Sequence, residues 1–377
     1  MDTRTLDDLV RATLHGPVTR RAFLMKAAAV GLSATAAGGL LAACGEEDDG
    51  GDGGATGEAV SLSLVTWGGS WGDAVKQAWV EPFMAANTNI TVVMDEPTEY
   101  PKIKAMVEAN SVDWDVVNIS NDFGIGPSFE KYCEPLDKTI VPFDELQPEL
   151  FPTTGYRVPV ISYSVVVGYR SDKLGGKAPT SFADFFDLQN FPGKRGVYDY
   201  VSGGLPEMAL VADGVPPDAL YPLDMDRAYK KIDTIKDALV WWDTGAQSVQ
   251  LLADGEVGMG MSWNGRLTEA NEQGSDIGIM WDQHILTADY LMITKGSKKT
   301  EAANQLIAWM ISADNNAEIT KYIDYGPANI DAIPKVDPAV ADKLPTAYLD
   351  TAFGFDDMWW AENYDKVVAD WQSYIQG

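Results

Sequence analysis

From residue 59 onward the chain switches repeatedly between two hydrophobic periods. "VSLSLVTW" (60–67) alternates apolar and polar positions with period two and predicts a strand. "GDAVKQAWVEPFMAAN" follows, with Ala74, Val75, Ala78 and Phe83 at helical spacing. "ITVVM" (90–94) predicts a second strand, "YPKIKAMVEAN" a helix and "WDVVNI" (114–119) a third strand. Strands and helices taking turns in this way predict an α/β fold with mostly parallel pairing.

Two stretches break the rhythm by their length. "YRVPVISYSVVVGYR" (156–170) is too long for one ordinary strand and reads as two short strands or as one crossing between domains. "DQHILTADYLMIT" (282–294) is a second candidate crossing. Between them "APTSFADFFD" offers a proline, a capping residue and a helix, and "SVQLLADGEVGMGMSWNG" reads as helix, turn and strand. "TEAANQLIAWMIS" is an amphipathic helix. Two α/β lobes joined by two extended crossings enclose a cleft, a preferred place for a ligand.

The first 58 residues follow a different pattern. Residues 27–43 are almost wholly apolar or small, too short and too rich in Gly and Ala for a confident membrane span. Arg20-Arg21 in "TRRAFLMK" open the run and "LAAC" (41–44) closes it. The order resembles a twin-arginine export signal ending in a lipobox, which predicts cleavage before Cys44, lipidation of its thiol and a membrane anchor there. "GEEDDGGDGGATGE" (45–58) has no apolar face and several like charges, so it predicts a solvated tether. The protein is expected outside the cytoplasm, periplasmic or on the outer face of the cytoplasmic membrane.

Composition narrows the chemistry. The chain of 377 residues is 46% hydrophobic and 22% charged, with a formal charge of −28. The first 44 residues carry more basic than acidic groups, so the rest is more acidic than the whole. Such a field excludes nucleic acid as a partner and favours cationic solutes. Of two cysteines, lipidation of Cys44 leaves Cys133 without a partner, and "FEKYCEPL" reads it as a small buried residue. Of two histidines, only His284 lies beyond the signal. Multi-histidine zinc sites and cysteine–zinc clusters are therefore excluded, and no phosphate loop occurs. No metal and no cofactor is expected.

Several segments, in order, match a known family: "VTWGGSW", "WDVV", "APTSFADFFD" with "FPGKRG", "DGEVGMGMSWNG", "TADYLMITKGSKKTEAANQLIAWMIS" and "YIDYGPAN". The chain resembles the periplasmic spermidine/putrescine-type substrate-binding proteins of ABC transporters. The resemblance implies a two-lobed type II periplasmic-binding fold, a monomer that is no enzyme and that passes its solute to an ABC permease. It divides the chain into one lobe of residues 59–168 plus 289–333 and another of residues 169–288 plus 334–377. Carried over by position, the ligand-binding residues are Trp67, Trp71, Ser120, Asp122, Gln247, Trp263, Asp289 and Tyr325. Asp289 would pair with an ammonium group, and Trp67 would pack on the alkyl chain.

The implied solute is small and cationic or zwitterionic: a diamine or polyamine such as putrescine or spermidine. The match breaks where spermidine binders hold a second amine with an acidic pair. Here Ser202, Gly203 and Gly204 stand near those positions, with Asp199 and Glu207 only nearby, and Thr287 replaces an aromatic. Gly68, Gly69 and Ser70 precede a helix whose exposed amides would suit a carboxylate. An ω-amino acid such as 4-aminobutyrate is therefore the alternative solute. Asn264 and Arg266 read as hinge or surface residues. Outside this class, an exported hydrolase using two carboxylates and a scaffolding lipoprotein remain as readings.

Overall fold

The computed structural model describes residues 59–146 and 151–376. The export signal, Cys44 and the tether lie outside the described residues. Eight principal strands form one sheet: β1 (Val60–Val65), β2 (Ile90–Asp95), β3 (Val116–Ile119), β4 (Arg157–Tyr169), β5 (Arg195–Tyr198), β6 (Leu239–Trp242), β7 (Met259–Trp263) and β8 (Gly278–Thr294). Their order across the sheet is β2-β1-β3-β8-β4-β7-β5-β6. β1 runs parallel to β2 and β3, and β5 runs parallel to β6 and β7. β8 and β4 are antiparallel to their neighbours and join the two parallel halves. The expected pair of crossings is thus a pair of single long strands, 17 and 13 residues, hydrogen-bonded to each other.

The length of β4 has a local cause. Its residues are buried almost continuously because helices cover both faces of the sheet, so no period of two marks where one lobe ends. The register slips between Pro159 and Ile161 and again between Val165 and Val167. Pro159 has no N–H to give to the ladder, and a bulge absorbs the missing bond.

Each parallel half carries its own core. Leu62, Trp79, Phe83, Leu306 and Met310 pack on one face of the β1–β3 half, beneath α1 (Gly69–Val75) and α2 (Glu81–Ala86). Between those helices the chain makes a π-turn, Lys76–Val80. Pro82 sits in the first turn of α2, where it can neither donate to Ala78 nor tolerate its carbonyl, and widening the turn relieves both. The sequence predicts this helix from Gly72; it starts at Gly69. On the opposite face, Ile103 of α3 (Tyr100–Glu108) packs with Trp114, Phe123 and Tyr290. Cys133 belongs to this cluster, where burial pushes its thiol up to about 12.

The other half is built on Phe182, Phe185, Met208 of α4 (Leu205–Ala212), Trp242, Trp360 and Trp371. Glu207 of α4 lies inside this core and is fully buried. One of its oxygens accepts from Tyr221 Oη (2.8 Å) and Trp360 Nε1 (2.9 Å), and the other has no partner. Burial pushes its carboxyl up to about 7, the two donors opposing. The folded state therefore holds this proton more tightly than the unfolded chain, and stability falls as pH rises from about 4.5 towards 7. Glu207→Gln removes that loss: its melting temperature should exceed the parent's at pH 8 and match it at pH 5, as thermal unfolding at the two pH values would read.

Candidate ligand-binding site

Asp289 stands midway along β8, opposite Ile161 of β4. It is 5% exposed. Burial pushes its carboxyl up to about 7; the Asn118, Trp67 and Tyr163 side chains draw it down, and the nearby Asp122 charge adds to the rise. Among the described residues no lysine or arginine forms an ion pair with it, and none is among the leading influences on its carboxyl. A buried carboxylate without a cation is costly, so this position is poised for a positive group from outside the chain.

Aromatic rings line the approach. Trp67, at the end of β1, is 36% exposed and meets Tyr100 edge-on at 6.0 Å. Tyr325 is tilted against Tyr163 at 5.6 Å, and its ring presses so closely on Gly265 that a Cβ there would lie 2.5 Å from it. Trp263 ends β7 and stands edge-on to Tyr198 (5.5 Å) and Trp242 (5.6 Å). Ser120 follows β3; its backbone N–H donates to Tyr100 Oη at 3.0 Å. Asp122 accepts from Tyr100, Tyr200 and Ser202.

Two of the positions carried over by resemblance are placed elsewhere. Trp71 is buried in the core beneath the cleft, its ring against Trp79 and Tyr325 and its Nε1 donating to Asn118 Oδ1 at 2.7 Å. It supports Asn118 from behind, because the period of α1 turns residue 71 inward. Gln247 is exposed and serves the first turn of α5 (Gly245–Ala253). Its side-chain oxygen accepts from the N–H groups of Asp243 (2.9 Å) and Thr244 (3.2 Å), completing a capping box.

The group that sequence reading placed at a hinge or on the surface is central. Arg266 lies in the first turn of α6 (Asn264–Glu272), which follows β7, and it is half-buried. Its Nη1 donates to Ser70 Oγ, which in turn donates to Glu269 at 2.9 Å. A Cβ on Gly69 would lie 3.7 Å from the guanidinium. Arg266 thus reaches from the β5–β7 lobe to the start of α1 in the other. The expected carboxylate-holding turn at Gly68–Ser70 is faced instead by the carboxylate of Glu96, 2.8 Å from where a Gly68 Cβ would be. Gly204, just before α4, packs against Ile285 and Phe355. The positive group beside the Gly68–Ser70 turn is the Arg266 side chain.

Tyr325 lies near enough to both charges to feel them. Burial pushes its phenol well up; Arg266 pulls it down, and Asp289 and Glu269 add to the rise. A carboxylate and a guanidinium thus both act on one buried aromatic side chain. Arg266 had a signal in the sequence, since a basic residue three positions after Trp263 is conspicuous in so acidic a chain. Tyr100, Tyr163 and Tyr200 had none, being three among 15 tyrosines.

His284 offers no nucleophilic machinery. Nδ1 accepts from Ser164 Oγ at 2.8 Å and Nε2 donates to the Tyr348 carbonyl at 3.0 Å, and both side chains are fully buried. No carboxylate completes the pair, and burial lowers the imidazole pKa.

One large sheet of two parallel halves joined by two long antiparallel strands, with helices on its faces, is the architecture of periplasmic binding proteins. The chain belongs to the bacterial extracellular solute-binding protein family, whose model matches residues 78–346. It is 32% identical over 326 residues to the gamma-aminobutyric acid-binding protein of Pseudomonas aeruginosa, covering 82% of this chain and 89% of that one. It is 25% identical over 291 residues to the spermidine/putrescine-binding periplasmic protein of Salmonella typhimurium, covering 72% and 80%. A solved GABA receptor superposes with a TM-score of 0.78 at 41% identity, over 84% of this chain and 97% of the receptor. Proteins of this family bind small solutes and work with ABC permeases. Among the described residues no helix is long and apolar enough to cross a membrane.

Proposed function

We propose that the protein is the receptor of an ABC transporter for a small ω-amino acid of the 4-aminobutyrate type. The observation that carries this reading is the pair of opposite charges acting on one buried aromatic side chain: Asp289, buried without a cation, and Arg266, extended from the other lobe. The ammonium end pairs with Asp289 beside Trp67, and the carboxylate end meets the guanidinium, which is suited to bidentate recognition. The two GABA-binding relatives support the same choice. A diamine fits less well, because its second ammonium would face Arg266 where an acidic partner is needed. The hydrolase reading finds little support at Asp122, whose two oxygens both accept hydroxyl protons from the chain's own side chains.

Calorimetric titration with 4-aminobutyrate, 5-aminopentanoate, putrescine, spermidine and betaine tests the assignment. Tight binding of an ω-amino acid with weak or absent binding of both polyamines is the expected result. Preference for putrescine would overturn it. The lipobox supports a further element, anchoring through Cys44: a palmitate analogue should label the parent in its native host and leave Cys44→Ala unlabelled.

A further inference from the structure

We propose that Asp122 is the latch that holds the two lobes together and that the C-terminal helix α8 (Asp357–Gln376), which follows α7 (Thr300–Ile311) in the chain, sets this latch from both sides. Asp122 follows β3 and is buried. Its Oδ1 accepts from Tyr100 Oη at 2.9 Å, within its own lobe. Its Oδ2 accepts from Tyr200 Oη at 2.9 Å and Ser202 Oγ at 3.2 Å, both in the turn that follows β5 in the other lobe. Burial, reinforced by the Asp122 charge, pushes the phenols of Tyr100 and Tyr200 far above their usual range, so both remain protonated and donate. Three of the roughly four acceptor positions of a carboxylate are thereby filled by the protein's own hydroxyls. The stabilisation these bonds give to the closed arrangement requires no solute.

The backbone that carries Asp122 is gripped on both sides. Arg157, fully buried, donates through Nη1 to the carbonyls of Asn121 and Phe123, each at 2.7 Å. Its Nη2 pairs with Asp357 Oδ2 at 2.7 Å, and the Asn121 amide donates to Asp357 Oδ1 at 3.0 Å. Asp357 is the first residue of α8. Two turns later the same helix presents Tyr364, whose hydroxyl donates to Tyr200 Oη at 2.7 Å. One helix therefore positions the acceptor in one lobe and orients a donor from the other. Asp357, Arg157 and Tyr364 are positioning residues; none belongs to the Asp289–Arg266 pair.

A latch of this kind gives the solute-free protein a measurable closed population, and solute affinity scales with that population. The test uses the full chain with a dye pair at Lys138→Cys and Lys236→Cys, two exposed positions on different lobes, and reads interdye distance without solute. The parent should show a closed population. Tyr200→Phe and Ser202→Ala should each reduce it, by roughly tenfold for the phenol, the scale of one charge-assisted hydrogen bond. Tyr364→Phe removes one oxygen from a half-buried side chain and should reduce it less, with melting temperature unchanged. Asp357→Asn should reduce it as Tyr200→Phe does. In every variant the affinity for 4-aminobutyrate should fall by the factor lost from the closed population. An absent closed population in the parent overturns the latch. So does weakened binding in Tyr200→Phe with an unchanged solute-free distance, which would make Asp122 a solute contact. The solute-free distances do not depend on which solute is taken, so this outcome is separate from the ω-amino acid assignment.

Discussion

Binding of 4-aminobutyrate should weaken by about tenfold per pH unit below pH 7 and level off above pH 8. The solute-free Asp289 carboxyl is pushed up to about 7 by burial, so at lower pH it carries a proton. An ammonium group favours the ionised form and must expel that proton, which links binding to the release of one proton below the raised pKa. Asp289→Asn should flatten the profile and cost about 2–5 kcal/mol of affinity, the scale for breaking a buried charge pair. The effect on the solute-free protein has the opposite sense. The folded state holds the Asp289 proton more tightly than the unfolded chain, so stability falls as pH rises from about 4 to 7. The asparagine variant should therefore be at least as stable as the parent at pH 8. Calorimetric titrations at pH 5.5, 6.5, 7.5 and 8.5, with thermal unfolding at the ends of that range, measure both. A pH-independent affinity in the parent would remove Asp289 as the ammonium partner.

Arg266→Gln should cost a similar amount for 4-aminobutyrate and almost nothing for butylamine, which keeps the chain and ammonium but lacks the carboxylate. The comparison isolates the guanidinium from any general loosening of the cleft. Its size follows from leaving a desolvated carboxylate without its fixed partner. Arg266→Glu should go further and raise putrescine affinity relative to the parent, because the second ammonium would gain a partner where it is now repelled. Equal losses for 4-aminobutyrate and butylamine would show that Arg266 holds α6 against α1 and does not read the solute.

The alternation of periods made the α/β class readable, and the two overlong extended stretches marked the hinge. Their union into one sheet was not readable, because burial on both faces of β4 hides its ends and a bulge at Pro159 leaves no trace in hydrophobicity. Within the candidate site, Asp289, Trp67, Trp263 and Tyr325 were named through motif order. Trp71 misled because a shift of one residue, about 100° around a helix, decides which face an indole takes, and here it bonds Asn118. Gln247 misled because a capping glutamine and a solute-facing glutamine look alike in sequence. Arg266 was legible only as a charge. Its meaning depends on α6 pointing it across the cleft, a relation between segments almost two hundred residues apart.

The central position of β8 has a consequence for how the chain is made. β3 finds its inner neighbour at residues 290–293, so Asn118 pairs opposite Leu291. The half of the sheet encoded first stays one strand short until nearly four-fifths of the polypeptide exists. Neither lobe can be completed as an independent unit during synthesis, and the slow, high-contact-order step falls late, when β8 enters between β3 and β4. A variant that weakens β8 should therefore show its defect first as poor yield of folded protein, before any loss of affinity in the molecules that do fold.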